Sequence, residues 1–131
     1  MPISFSSAPI VYQVEPEIVS QETQVEWTFE TLLPHLAKKY GQDEDLVRKI
    51  IKCESHFDPD AKNDNYNKEG EYWSSDWGYW QINDYWHLED AKRHNYDIVH
   101  SWQDNLEWGF KLLKQDGAMR HWGASAYCWN K

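Results

Sequence analysis

A mainly α domain with a small loop or β-hairpin region is what this sequence predicts. Three observations lead there. Apolar residues recur at helical spacing on both sides of residues 58–78. That middle stretch is rich in Asp, Asn, Lys and Gly, the composition of a long polar loop. No apolar run approaches the ~18 residues of a membrane helix, so no membrane insertion is expected. The length of 131 residues suits one domain with a real core.

Residues 1–26 stand apart. They hold four glutamates (Glu15, Glu17, Glu22, Glu26) and no Lys or Arg, so they carry −4 of the formal net charge of −9. Pro2, Pro9 and Pro16 oppose a helix. A flexible acidic tail or linker is expected over 1–26, and a folded domain over 27–131. The tail lacks a basic stretch followed by an apolar core, so an intact secretory signal is not expected there.

From Trp27 the pattern turns helical, with apolar residues at 29, 32, 33, 36 and 40 and Gly41 as a stop. Pro34 is expected to start or kink this helix. Asp43 suits the N-cap of a second helix, with Glu44 and Asp45 in its first turn. Residues 58–78 read as a loop with a hairpin around Tyr72 and Trp73. A third helix is expected at 86–94. A fourth is expected at 102–116, where Trp102, Leu106, Phe110 and Leu113 keep helical spacing before Gly117. A short helix over 119–128 closes the chain.

The second helix carries the main chemical signal. At about 100° per residue with Ile50 at zero, Leu46, Val47, Ile51 and Cys53 fall between about −60° and +100°. Glu54 falls near +40°, inside that apolar arc, while Arg48, Lys49 and Lys52 point elsewhere. A carboxylate there must be paired, protonated or at the edge of a cleft. Desolvation would raise its pKa, which suits a general acid. The other reading is a helix-end glutamate turned to solvent.

Around Glu54 the motifs fall into a known order. Glu54-Ser55-His56-Phe57 is followed by Ser75-Asp76-Trp77-Gly78-Tyr79-Trp80-Gln81-Ile82-Asn83, then by Asn105-Leu106 and Ala126-Tyr127. This series resembles the lysozyme superfamily, and two of its branches match, one of them the soluble lytic transglycosylase domain. Ser74 to Gly78, Gln81 to Asn83, and Met119-Arg120-His121-Trp122 are similar to chicken-type lysozymes. The resemblance covers about residues 29–129. It implies a lysozyme-like α+β fold in which the small loop and hairpin region forms one side of a glycan cleft.

The implied activity is a muramidase that breaks the β-1,4 bond between N-acetylmuramic acid and N-acetylglucosamine in peptidoglycan. Glu54 takes the position of the catalytic acid. Asp76 takes that of a second carboxylate, either a nucleophile or cation stabiliser or an aspartate that only shapes the turn before Gly78. Without it, the substrate's own 6-hydroxyl would close a 1,6-anhydro ring. Ser55, Trp77, Gln81, Asn83, Trp122 and Tyr127 fall at substrate-binding positions. Gln81 and Asn83 could instead pin the loop backbone. Tyr127 could hydrogen-bond Glu54, although Cys128 stands where the family has Asn. A Cys-Glu-Ser start and a Cys-Trp end resemble small bacterial domains in which the two cysteines pair, so a Cys53–Cys128 disulfide is implied. Two buried thiols are the other reading.

Partners and cofactors follow the same lines. A net charge of −9 argues against nucleic acid. The implied partner is the peptidoglycan glycan strand, bound by a monomer at an extracellular, wall or phage-associated site. No metal or cofactor is expected: the six histidines show no ligand pattern and read as surface or capping residues, and the 58–76 loop lacks the calcium-loop pattern. Of the nine tryptophans, Trp27, Trp102, Trp108 and Trp129 are expected to pack. Trp122 and one or two of Trp73, Trp77, Trp80 and Trp86 are expected in the cleft, where aromatic planes stack on sugars. The competing class is a non-catalytic glycan-binding or structural wall protein.

Overall fold

The computed structural model describes residues 26–131; almost all of the tail expected over 1–26 lies outside the described residues. The helices are α1 (Phe29–Tyr40), α2 (Glu44–Ser55), α3 (Asp84–Arg93), α4 (Trp102–Asp116), α5 (Ala118–Trp122) and α6 (Ala126–Trp129). Between α2 and α3 lies an antiparallel sheet in the order β1 (Lys62–Tyr66), β2 (Tyr72–Trp77), β3 (Ile82–Asn83). The mainly α, lysozyme-like fold class is therefore present. No helix among the described residues is long and apolar enough to cross a membrane.

Helix α1 begins earlier than a Pro34 start would allow. Thr28 caps it, and the Thr28 and Thr31 side chains satisfy each other's backbone N–H groups. Leu32 and Leu33, both ahead of the proline, are buried and anchor the first turn. Pro34 sits inside the helix, where it removes one backbone donor. Helix α2 is capped by Asp43, and it ends where His56 and Phe57 both take positive φ, 53° and 63°. Two successive left-handed residues without glycine strain the chain and turn it sharply just after Glu54-Ser55.

The hairpin is longer than expected and is centred on 67–71 rather than on Tyr72 and Trp73. Asn67 Oδ1 accepts from the N–H groups of Glu69 and Glu71, and Gly70 has φ 82°. The strands mix Lys, Asn, Asp and Ser with aromatics only at their ends (Tyr66, Tyr72, Trp73, Trp77), so their pairing does not show as apolar alternation.

The tryptophans hold the helical part together. Trp80 Nε1 donates to the Leu106 carbonyl of α4 at 2.9 Å. Trp122 Nε1 donates to the Trp80 carbonyl at 2.8 Å, and Trp129 Nε1 to the Trp122 carbonyl at 3.0 Å. Each indole thus ties one segment to the next, and all three are buried. Trp80 reaches α4 because Gly109 leaves room: a Cβ there would lie 2.1 Å from the indole Cδ1. Trp108 and Trp129 are core residues, and Trp27 and Trp102 pack against the core, as expected.

The C-terminal segment differs from a single helix over 119–128. A 3-10 turn at Gly123–Ser125 separates α5 from α6 and changes the residue phase. Cys53 and Cys128 are disulfide-bonded, which joins the end of α2 to α6.

Candidate active site

Glu54 lies on the last turn of α2, at the edge of its apolar face. The buried residues Val47, Ile50, Ile51 and Ser55 fix the helix's rotation, and Glu54 is left half-exposed toward a cleft. Ser125 Oγ donates to Glu54 Oε2 and lies 3.1 Å from the Trp122 carbonyl. Burial holds the Glu54 carboxyl above its ordinary range. The Ser125 hydrogen bond works against that shift, and the negative charge of Asp76 adds to it.

Asp76 stands on β2, between Asn63 of β1 and Asn83 of β3 in the sheet register. Its two carboxylate oxygens each accept from an amide: Oδ1 from Asn83 at 2.9 Å and Oδ2 from Asn65 at 3.2 Å. Both amides also donate to Ser74 Oγ, two residues back on the same face of β2. Asn83 Oδ1 meanwhile caps α3 by accepting from the Trp86 N–H. One asparagine thus fixes Asp76 and the start of the next helix together.

Glu54 and Asp76 line one cavity of about 410 Å³, together with Gln81, Ile82, Asn83, Leu112, Trp122 and Ser125. That volume is in the range of a small-molecule site. Trp86, His87, Arg120 and His121 line it as well.

The turn from β2 to β3 is built to close tolerance. Gly78 has φ 72°, and a Cβ there would lie 2.6 Å from Asn105 Cγ. Buried Asn105 donates to the carbonyls of Trp77 and Ile98 and so pins the turn against α4. Gln81, at φ 53°, faces the cavity but spends its amide on the turn. Its Nε2 donates to the carbonyls of Ala61 and Gly78, and its Oε1 accepts from Asn63 at 2.6 Å.

The expected site residues therefore separate. Glu54, Asp76, Gln81, Asn83 and Trp122 come together around the cavity. Ser55 is 6% exposed, and its hydroxyl reaches the carbonyls of Ile51 and Tyr79, so it clasps the helix end to the turn. Trp77 donates through Nε1 to Asp84 Oδ2. Tyr127, read as a partner of either Glu54 or the substrate, is 81% exposed, and it is Ser125 that contacts Glu54. Of the middle tryptophans, Trp86 lines the cavity while Trp80 is core. Two histidines read as surface residues, His87 and His121, also line it.

Ser125 escaped the sequence reading, though a signal for it exists. A Cys53–Cys128 pairing brings the segment that precedes Cys128 into the neighbourhood of Glu54, the residue after Cys53.

The transglycosylase SLT domain model matches residues 32–128. The chain belongs to this family. Its members are in general lytic transglycosylases with a lysozyme-like fold that act on peptidoglycan, so a glycan-cleaving function stands in general terms. No match was found among curated proteins.

Proposed function

We propose that this SLT-domain protein cleaves the β-1,4 bond between N-acetylmuramic acid and N-acetylglucosamine, with Glu54 as general acid and then base. The observation that carries the reading is a half-buried Glu54 whose carboxyl is held above its ordinary range by burial, lining one sugar-sized cavity with the carboxylate of Asp76. Glu54 protonates the glycosidic oxygen as the bond breaks. Asp76 supplies negative charge beside the developing oxocarbenium ion. Ser125 orients the acid, Asn65 and Asn83 orient Asp76, and Trp86 offers an exposed face for stacking on a sugar ring. Asn83 and Gln81 frame the cavity wall. Peptidoglycan is a wall polymer, so the protein acts outside the cytoplasmic membrane, and a monomer suffices because Glu54 and Asp76 come from one chain.

After the bond breaks, Glu54 takes a proton from the group that attacks the anomeric carbon. Asp76 favours water as that group, and the family match favours the substrate's 6-hydroxyl. Product mass on defined muropeptides separates the routes, since a 1,6-anhydro end is one water lighter than a hydrolysed one.

Loss of turbidity by purified wall sacculi tests the reading itself. Wild type lyses the walls and Glu54→Gln does not. Binding without lysis by wild type would make the protein a glycan-binding one, and normal lysis by Glu54→Gln would remove Glu54 from the chemistry.

A further inference from the structure

The cavity at Glu54 adjoins a hollow whose arginine and histidines the cleavage chemistry does not use. Trp86, His87, Arg120 and His121 line both this cavity and an adjoining hollow of about 420 Å³. Arg120 is exposed on α5 and forms no ion pair among the described residues. Its guanidinium presents a planar fork of N–H donors that matches a carboxylate. His121 Nε2 engages Asp116 Oδ2 at 2.7 Å, which fixes the ring. The His87 ring stands edge-on to His121 at 5.0 Å. Burial and the neighbouring His121 hold His87 below its ordinary range, so it remains a neutral donor or acceptor. Asp116 and Asp90 are the carboxylates facing this group; Asp116 is engaged by His121 and also feels the Arg120 charge, without a direct ion pair to it. Trp86, 68% exposed, supplies an apolar plane beside them.

One cavity thus carries two carboxylates and, where it meets the adjoining hollow, an arginine with two imidazoles. A neutral sugar chain has no use for the arginine and imidazoles. A muramyl chain does, because each muramyl unit carries a carboxylate on its 3-O-lactyl arm or on a peptide attached to that arm.

We propose that Arg120 and His121, flanked by Trp86 and His87, form a subsite for a carboxylate borne on the lactyl arm of a muramyl residue. This rests on the reading of the Glu54 cleft as a glycan cleft. The subsite selects muramyl strands over N-acetylglucosamine-only strands of the same length.

Binding by the full-length Glu54→Gln protein tests it without cleavage. Three oligosaccharides of equal length are compared by calorimetry: N-acetylglucosamine only, muramyl with free lactyl carboxylates, and muramyl with stem peptides. At least one carboxylated ligand binds about 10-fold more tightly than the neutral one, a single charge-assisted contact's worth. Arg120→Ala brings that ratio close to one, and Arg120→Lys restores part of it. A preference for the free-lactyl form assigns the contact to the lactyl carboxylate, and a preference for the peptide form assigns it to the stem. Equal binding of all three ligands, binding of none, or a ratio unmoved by Arg120→Ala overturns the subsite. Wall lysis by the wild type is read separately. Lysis with a ratio of one removes the subsite alone. A persistent ratio without lysis supports the subsite and removes the catalytic reading.

Discussion

On the helical wall of the cleft, Glu54 is half-buried, takes one hydroxyl from Ser125, and shares the cavity with Ile82, Leu112 and Trp122. On the sheet wall, Asp76 is met by two amides that are themselves fixed by Ser74 and the cap of α3. The same functional group is thus held in two ways. Burial raises the pKa of one, and a polar network holds the other as an acceptor. Two carboxylates with divergent surroundings are what a division of labour between acid and charge stabiliser requires. The sheet wall is built within residues 62–83 and is pinned by Asn105 of α4, whereas the helical wall joins Glu54 to the stretch from Trp122 to Cys128.

Substitutions can break this comparison one wall at a time. Glu54→Gln has the largest effect: kcat on defined muropeptides falls by about 10²–10⁴-fold, the usual contribution of a general acid. Replacing both cysteines by serine strikes the helical wall's support. The bridge closes 75 residues, and on the chain-entropy account its loss costs about 4 kcal/mol, read by denaturant unfolding. Asp76→Asn removes charge from the sheet wall and keeps the shape; kcat falls about 10–100-fold, a smaller loss than that of the acid itself. It also lowers the Glu54 pKa, because the Asp76 charge is one of its raising causes, so the alkaline limb of the pH–rate profile moves to lower pH. Ser125→Ala moves that limb the other way. Its hydrogen bond favours the charged form, so removing it leaves burial and Asp76 to raise the pKa further, with a loss in kcat of about 10-fold or less. Opposite shifts from the two walls sharpen the comparison, and shifts of one sign break it.

The helical part was the more legible in the sequence. Helix α4 follows from the spacing of Trp102, Leu106, Phe110 and Leu113, and the inward placing of Glu54 follows from the arc around Ile50. The sheet was barely legible, since the middles of β1 and β2 are polar and their pairing is accompanied by side-chain pairs such as Asn65–Asp76 and Ser75–Asp64 rather than by apolar alternation. The C-terminal segment was legible in content but not in phase. The 3-10 turn rotates Ser125 toward Glu54 and leaves Tyr127 in solvent, and nothing in the helical periodicity of 119–128 marks that break. Ser55 and Gln81 were assigned to substrate because of where they stand in the motif, yet both are committed to backbone carbonyls. The nine tryptophans resolve in the same manner. Trp80, Trp122 and Trp129 join backbone segments through their N–H groups, Trp122 also lines the cleft, and Trp86 is its exposed aromatic face.

The most direct test of the account is an NMR titration of the Glu54 carboxyl in the wild-type protein. The account predicts a midpoint above the ordinary glutamate value of 4.5, because burial and the Asp76 charge outweigh the Ser125 hydrogen bond. A midpoint at or below 4.5 would contradict it, since burial would then not favour the protonated form that the proposed acid needs.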